Sequence, residues 1–286
     1  MARRDFAAAA RARALSIVRT QQPFIIWGAE PMNGGNYLYL WATAWARQRH
    51  TGERWLVRYK PKMNPWLEEF PQLRALTVDE VDVGWRQRRT VEWGQQAGRD
   101  FRVKDLRDFA RDLLLASENF RGRMAARPRD AVVVNVRRGD YYTNERLAAV
   151  FGFDIPGYVN AALQRIPGDR QKRVVVVSDD PEWCATNLTF VRQGRSVSFM
   201  PTPHDMFDDL AQLAVARDLI LANSTFSYWG GYLASARSAR ERPRTVFAPL
   251  HFNRLYSDGE SPLLLPEWTA IPDDEFSTPD RLQGEA

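Results

Sequence analysis

The stretch AVVVNVRRGDYYTNE (131–145) gives the clearest indication of the fold. It begins with a mostly apolar run, 131–136, of the kind that forms a strand buried on both faces in a parallel sheet. The run is followed at once by two arginines, a glycine and an aspartate. Because ligands of parallel sheets bind at the carboxyl ends of the strands, this charged loop is a candidate binding site.

Strand and helix patterns alternate along the rest of the C-terminal half. The predicted strands after the first one are 173–177, 196–200, 219–223 and 245–249. The predicted helices are 157–166, a helix beginning at Pro181, 206–218 and 226–237. Alternation at this short spacing is typical of an α/β fold with a doubly wound parallel sheet and right-handed crossovers.

The N-terminal half contains one clear strand, loop and helix in that order. A strand is predicted at 23–27, a glycine-containing loop at 28–36 and a helix at 37–49. A second strand is predicted at 55–60, whereas 61–100 has no clear period.

A long amphipathic helix, 104–117, closes this half. The polar and basic segment 121–130 that follows has the composition of a linker. We therefore predict two domains, 1–125 and 126–286.

The composition is that of an ordinary globular protein, with 286 residues, 44% hydrophobic and 26% charged. The net charge of +5 comes mainly from arginine, whose planar guanidinium matches phosphate oxygens, so an anionic partner is favoured. No long basic run occurs beyond the N-terminus, and nucleic acid is therefore not indicated. A single cysteine, Cys184, excludes an internal disulfide, and three scattered histidines argue against a protein-built metal site.

Residues 1–22 are basic and alanine-rich but lack the apolar core of a secretory signal, so we expect a cytoplasmic protein. As an amphipathic helix the segment could rest on an anionic membrane at its inner face. A surface helix or a frayed terminus is the alternative that we favour.

Two adjacent arginines, Arg137 and Arg138, stand where the strand 131–136 ends. Alternation along a strand places them on opposite faces, so one can reach a ligand while the other braces the loop through Asp140. Buried arginines need carboxylate or phosphate partners, and a purely structural Arg–Asp pair explains the pattern equally well.

A second candidate is LILANSTFSYWGGYLA (219–234), in which a strand leads through a Ser/Thr turn directly into a helix. Helix N-termini bind phosphate, and the hydroxyls of Ser224, Thr225 and Ser227 could contribute. The alternative is that Asn223, Ser224 or Thr225 is only a helix cap. Gly230 and Gly231 predict a close approach of this helix to the sheet.

Two further motifs are weaker. The loop MNGGN (32–36) would let the backbone approach a ligand closely at Gly34 and Gly35. In VSDDPEWC (177–184), Asp179 or Asp180 precedes a proline, which favours a structural helix cap over catalysis.

Taken together, these motifs resemble the α-1,2-fucosyltransferase family. GGNYLYLWA (34–42), NVRRGDY (135–141), VSDDPEWC (177–184) and DLAQLAVARDLILANSTFSYWGGYLA (209–234) follow the order of the family's motifs, and the tail FAPLHF…LPEW (247–268) follows its closing pattern. The resemblance spans 24–271. It implies a GT-B-like fold, with an N-terminal acceptor-side domain and a C-terminal nucleotide-sugar domain, each Rossmann-type, facing a cleft.

The resemblance also implies an inverting, cofactor-free and metal-independent transfer of L-fucose from GDP-L-fucose to a galactoside hydroxyl in α-1,2 linkage. The GDP-sugar donor and a glycan acceptor are thus the implied partners.

The residue roles that the resemblance implies follow its motifs. Arg137 would hold the β-phosphate, the helix start at Ser224, Thr225 and Phe226 would hold the diphosphate, and Asp209 would read guanine. The rest of the predicted substrate-binding set is Gly35, Asn36, Asn135, Arg138, Asn223 and Ser227. For the base that deprotonates the acceptor we rank Glu145 above Asp140.

At two positions the sequence departs from the family's motifs, and these differences leave the identity of the donor sugar open. Asn135 stands where the family has histidine, and Tyr37 stands where it has glutamine. A transferase using another GDP-deoxyhexose and a non-catalytic nucleotide- or glycan-binding protein are therefore the alternatives, and the sequence does not reveal the acceptor.

Overall fold

The computed structural model describes residue 15 and residues 18–30, 32–96, 99–254 and 260–276. The predicted segment 1–22 thus lies mostly outside the described residues. Among the described residues, no helix combines the length and the apolar character needed to cross a bilayer.

The chain divides into two compact units, Met1–Phe109 and Ala110–Ala286, whereas the predicted boundary lies between 125 and 126. The physical reason is the helix Glu118–Ala125, which sits between the two boundaries. Arg123 on this helix forms ion pairs with Asp205 (2.9 Å) and Asp208 (3.0 Å) in the C-terminal unit, so the helix belongs to that unit.

The N-terminal unit contains, within the described residues, one parallel sheet. Its strands are β1 (Gln21–Gly28), β2 (Trp55–Arg58), β3 (Thr77–Val78) and β4 (Gln87–Glu92), in the order β3-β2-β1-β4. Its helices are α1 (Asn36–Thr51), α2 (Asn64–Glu69) and α3 (Val103–Phe109), with 3₁₀ turns at Pro61–Met63, Pro71–Leu76 and Glu80–Asp82.

The predicted helix 104–117 is wrong in its second half. α3 ends at Phe109, and Ala110–Leu114 forms a π-helical turn instead. The two units also divide at this point.

The C-terminal unit is built around a second parallel sheet. Its described strands are β5 (Val132–Val136), β6 (Arg173–Ser178), β7 (Ser196–Phe199), β8 (Asp218–Ile220), β9 (Thr245–Pro249) and β10 (Thr269–Ile271). Their order is β10-β9-β8-β5-β6-β7, and every described pairing in the sheet is parallel. The predicted α/β class with doubly wound parallel sheets is confirmed.

The helices of this unit begin with α4 (Glu118–Ala125). They continue with α5 (Gly139–Thr143), α6 (Glu145–Phe151), α7 (Ile155–Gln164), α8 (Pro181–Asn187), α9 (Met206–Ala214) and α10 (Thr225–Ala236), and 3₁₀ turns lie at Gly168–Gln171, Thr189–Arg192 and Asp273–Glu275. Acidic side chains cap the N-termini of several of these α-helices. Asp154 caps α7, and Asp205 and Asp208 form a reciprocal capping box on α9.

Counted from β5 outward, this strand order is the 3-2-1-4-5-6 arrangement of doubly wound folds, in which the connections reverse direction between β5 and β8. In folds with this order the loops after these two strands diverge and leave a crevice at the carboxyl edge of the sheet. That crevice is where such sheets bind ligands.

Two glycines in α10 set how closely its neighbours pack. A Cβ at Gly230 would lie 2.6 Å from Leu213 on α9, and a Cβ at Gly231 would lie 2.6 Å from Trp268 and 2.9 Å from Leu221. The predicted approach to the sheet therefore holds for Gly231, beside the end of β8. Gly230 instead lets two helices pack closely.

We expect Gly230→Ala to lower the free energy of unfolding by about 1–3 kcal/mol, because the new methyl group overpacks the contact with Leu213. The matched control is Gly122→Ala in α4, where a Cβ meets nothing within 4 Å. The control should stabilise the protein by about 0.5–1 kcal/mol through helix propensity alone. Urea unfolding followed by tryptophan fluorescence measures both, and equal effects of the two substitutions would contradict the close packing of α9 and α10.

Candidate functional site

Asn135 joins the end of β5 to the start of α10. The Ser227 hydroxyl donates to Asn135 Oδ1 at 2.6 Å, and Asn135 Nδ2 donates to the Val177 carbonyl of β6 at 3.0 Å. Ser227 Oγ in turn accepts from the Ala222 amide at 2.8 Å. Both side chains are buried and their polar atoms are engaged inside the fold. They therefore hold the two sides of the crevice together.

The first turn of α10 begins at Thr225, directly after the loop that follows β8. Ser224 is the N-cap, and its hydroxyl accepts from the Ser227 amide at 3.1 Å, which confirms the capping alternative. The first amides of a helix have no partner within the helix. In the described part of the chain, Ser224 satisfies only the amide of Ser227, so the amides of Thr225 and Phe226 are available to an anion.

Arg137 directly follows β5 and is held by two carboxylates. Its guanidinium is 2.7 Å from Asp140 and 2.8 Å from Asp179, and it lies over the ring of Tyr141. The predicted pairing of Asp140 with Arg138 is wrong, because Asp140, in the first turn of α5, pairs with Arg137 just before that helix. The Arg137 side chain is 39% exposed, so it remains accessible to a ligand.

Arg138 braces the loop, as predicted, but with different partners. Its backbone amide donates to Asp179 at 2.8 Å, and its Nε lies 3.3 Å from Asp180. The guanidinium also covers the Trp183 ring at 4.1 Å. These contacts tie the β5 loop to the β6 loop.

Gly139 is required at this point by its backbone. Its φ is +32°, and a Cβ there would lie 2.8 Å from Asp179 and 3.0 Å from the Arg137 guanidinium. A larger residue would therefore push Asp179 and Arg137 apart.

Asp179 lies at the candidate site, whereas the sequence offered it only as one of two possible helix caps. The capping role that we assigned to Asp179 or Asp180 belongs to Asp180, which accepts from the Trp183 amide at 3.1 Å. Asp179 turns instead to both arginines. Since β6 is the neighbour of β5, the meeting of their carboxyl-end loops was the signal that could have identified it.

Asn223 is a structural residue in this geometry. Its Nδ2 donates to the carbonyls of Phe151 (2.8 Å) and Phe252 (3.3 Å), and the side chain is buried. It thereby ties the loop before α10 to the last residue of α6 and to the segment that follows β9.

Asp209 lies on α9, one helical turn before Leu213, whose side chain packs against Gly230 of α10. Asp209 Oδ1 is 3.2 Å from His204 Nε2 but has no hydrogen bond of good geometry within the described residues. Burial raises the pKa of Asp209 to about 6.

The remaining predicted residues lie in two places. Glu145 is exposed at the first position of α6, whose cap is Asn144. Gly35 and Asn36 lie in the N-terminal unit at the start of α1, where Asn36 Oδ1 accepts from Gln95 at 2.7 Å. Their predicted contacts with the donor stay predictions.

The sequence comparisons point to one family. The model described as glycosyl transferase family 11 matches residues 59–271. Human galactoside alpha-(1,2)-fucosyltransferase 1 is 30% identical over 188 residues, which cover 62% of this chain and 48% of the human protein. The protein of the same name from Oryctolagus cuniculus is 29% identical over 186 residues, which cover 62% of this chain and 47% of its own. The chain thus spans about half the length of the curated relatives it matches.

Two solved structures are also similar. POFUT1 in complex with GDP-fucose has a TM-score of 0.47 and 12% identity, with 80% of this chain and 99% of that chain covered. Fucosyltransferase NodZ from Bradyrhizobium has a TM-score of 0.40 and 13% identity, with 74% and 92% covered. At these scores neither likeness gives a residue-level correspondence with this chain.

We expect Asn135→Ala and Ser227→Ala each to cost about 1–3 kcal/mol of stability, because each leaves a buried polar atom without its partner. Their double variant should show a coupling of about 1–2 kcal/mol in urea unfolding. Asn135→Ala combined with Thr186→Ala on α8 is the control and should be additive, since the Thr186 hydroxyl donates to the Glu182 carbonyl of its own helix. Strict additivity of the Asn135 and Ser227 changes would contradict the observed hydrogen bond.

Proposed function

The chain belongs to glycosyl transferase family 11, and we propose that it transfers L-fucose from GDP-L-fucose to a galactoside hydroxyl, in α-1,2 linkage and with inversion. The names of its curated relatives support the linkage and the acceptor class. The observation that carries the proposal lies in the C-terminal unit. A guanidinium and a free helix N-terminus border one crevice at the switch point of a doubly wound sheet.

In this proposal the diphosphate of the donor takes the place of a carboxylate at Arg137. In the structure Asp140 and Asp179 neutralise the guanidinium. When the donor binds, its phosphate oxygens would displace at least one of these carboxylates. The amides of Thr225 and Phe226 would complete the cradle from the other side. Since Asn135 and Ser227 fix the spacing of the two sides, the cradle exists before the donor binds.

The same groups would promote departure of GDP. Breaking the bond between fucose and GDP develops negative charge on the leaving diphosphate, and fixed positive groups stabilise that charge more than the ground state. Arg137 and the start of α10 supply positive charge without a metal, so we propose a metal-independent reaction.

For the base that takes the acceptor proton, Glu145 remains our first choice. The Asp140 carboxylate is engaged by the Arg137 guanidinium at 2.7 Å, so that oxygen is less available to an acceptor hydroxyl. Within the described residues, Glu145 is exposed and has no ion-pair partner.

We expect Arg137→Ala to lower kcat for fucosyl transfer at least about a hundredfold, since a charge-assisted contact of about 3 kcal/mol is lost. Arg137→Lys should recover only part of this loss, because an ammonium cannot bind two phosphate oxygens in one plane. EDTA should leave the wild-type rate unchanged.

Arg173→Ala is the matched control. Arg173 is an exposed arginine at the amino end of β6, whereas the candidate site lies at the carboxyl ends of the strands. Steady-state kinetics with GDP-fucose measures each variant. Near-normal turnover of Arg137→Ala would remove Arg137 from the site.

We expect guanine recognition by Asp209 to weaken in acid. An ionised carboxylate accepts from both N1–H and the exocyclic amino group of guanine, and burial raises the pKa of Asp209 to about 6. GDP affinity should therefore fall about tenfold as the pH drops from 7 to 5, while UDP and ADP bind weakly throughout. Calorimetry with the three nucleotides measures this.

The charged groups around Asp209 are His204, Asp205, Asp208 and Arg127, so the titrating group must be identified by substitution. Asp209→Asn should bind GDP weakly at every pH, whereas His204→Gln should keep the pH dependence. If His204→Gln abolished the pH dependence while Asp209→Asn kept normal GDP binding, Asp209 would not be the residue that reads the base.

A further inference from the structure

Among the described residues, the large hydrophobic side chains that are exposed all lie in the N-terminal unit. Four of them stand between residues 81 and 93, in β4 and in the segments before and after it, and the fifth precedes β1. Val81 is 92% exposed and Trp85 is 62% exposed, so both side chains project from the fold instead of packing into it. Such a concentration marks an interaction site more often than ordinary surface. We refer to this set as the β4 surface, which consists of Val18, Val81, Trp85, Val91 and Trp93.

The exposed side chains in β4 and just after it point away from α1. Glu92 forms an ion pair with Arg47 of α1 at 2.7 Å, and a Cβ at Gly94 would lie against the same helix. Because successive side chains alternate between the two faces of a strand, Val91 and Trp93 point to the opposite side. They therefore belong to the face of the N-terminal sheet that α1 does not cover.

The crossover from β3 to β4 runs over this same face. Arg89 shares the face of Val91, and its guanidinium lies 3.5 Å from the carbonyls of Val83 and Gly84 in the crossover. The two exposed hydrophobic side chains of the crossover are thus on the same side of the sheet as those of β4. Four of the five side chains of the β4 surface therefore lie on one side of the unit.

Arginine side chains lie among these hydrophobic groups. Arg86 covers the Trp85 ring at 4.8 Å, and Nε of Arg19 donates to the Trp85 carbonyl at 3.2 Å, which places the adjacent Val18 beside the crossover. Arg88 is exposed on β4, the edge strand of the sheet. A guanidinium on its long stem can stay among charged groups while the stem and a neighbouring ring lie in an apolar layer.

The acidic groups of the crossover do not cancel this charge. Glu80 is engaged by Arg58 at 3.0 Å, which leaves Asp79 and Asp82 as exposed carboxylates. Four arginines lie close to these two carboxylates, namely Arg19, Arg86, Arg88 and Arg89. The sequence that leads into this part of the fold, 1–17, adds four arginines and one aspartate. The β4 surface is therefore bordered by net positive charge.

This combination of groups indicates the class of partner. Aliphatic side chains such as valine gain free energy by entering hydrocarbon, which a nucleic acid or a free anion does not offer. Tryptophan is enriched where the hydrocarbon of a bilayer meets water, and arginine is attracted to anionic headgroups. Valine, tryptophan and arginine on one side of a unit thus match the boundary layer of an anionic bilayer.

We propose that the β4 surface binds an anionic lipid bilayer. The valine and tryptophan side chains enter the headgroup boundary, and Arg19, Arg86 and Arg88 bind lipid phosphates. Such binding goes beyond the proposed function and does not depend on it, because the groups proposed to hold the donor diphosphate lie in the C-terminal unit.

Sedimentation of the full chain with vesicles tests the proposal. Vesicles of equal parts phosphatidylglycerol and phosphatidylcholine should bind the wild type, and high salt should weaken this binding. Val81→Ser combined with Trp85→Ser should lower the partition coefficient about tenfold or more, because the burial of two apolar side chains is lost. Arg86→Gln combined with Arg88→Gln should lower it about tenfold at low salt.

The matched control for the charge change is Arg121→Gln combined with Arg173→Gln. Both arginines are exposed in the C-terminal unit, so this variant should bind the vesicles as the wild type does. GDP affinity should be the same in all these variants, which shows that the substitutions leave the rest of the fold intact.

Vesicles with brominated acyl chains give a second readout. They should quench the tryptophan emission of the wild type. Trp85→Phe combined with Trp93→Phe keeps large apolar side chains on the β4 surface, so this variant should still bind the vesicles but show much weaker quenching.

Three results would overturn the proposal. The first is that the wild type does not bind phosphatidylglycerol vesicles, and the second is that Val81→Ser with Trp85→Ser binds them normally. The third is a dimer of the wild type in analytical ultracentrifugation that these two substitutions dissociate, since a second copy of the chain would then cover the β4 surface.

Discussion

The hydrogen bond between Asn135 and Ser227 is the constraint on which the candidate site depends. It links the carboxyl end of the strand β5 to the first turn of α10, across the point where the strand order reverses. In a doubly wound sheet the loops at this point diverge, and only a direct link fixes how far apart they stand. One buried amide side chain, bonded also to β6, thus sets the distance between a guanidinium and a helix N-terminus.

The charges of the site are balanced before any ligand arrives. Arg137 is paired with Asp140 and Asp179, and Asp179 also accepts from the Arg138 amide. A diphosphate therefore gains less than it would from an unpaired arginine, because it must displace a carboxylate. In exchange, the guanidinium is already oriented, and less side-chain entropy is lost on binding.

The sequence predicted the central strands of the second sheet because buried parallel strands are continuously apolar, as β5 and β6 are. It missed β4, whose residues QRRTVE are polar at the edge of its sheet, and β10, which is three residues long. Spacing limited the helix cap to Asn223, Ser224 or Thr225 and indicated that one of the two adjacent arginines braces the loop. The partners of the two arginines could not be inferred, because alternation along a strand shows which face a side chain takes but not which neighbouring loop supplies its carboxylate.

The central claim is that one diphosphate contacts both sides of the crevice, and a crystal structure with GDP tests it most directly. The account predicts phosphate oxygens within hydrogen-bond distance of the Arg137 guanidinium and of the amides of Thr225 or Phe226, with at least one carboxylate displaced from Arg137. GDP bound elsewhere, or bound while Arg137 keeps both Asp140 and Asp179, would contradict it.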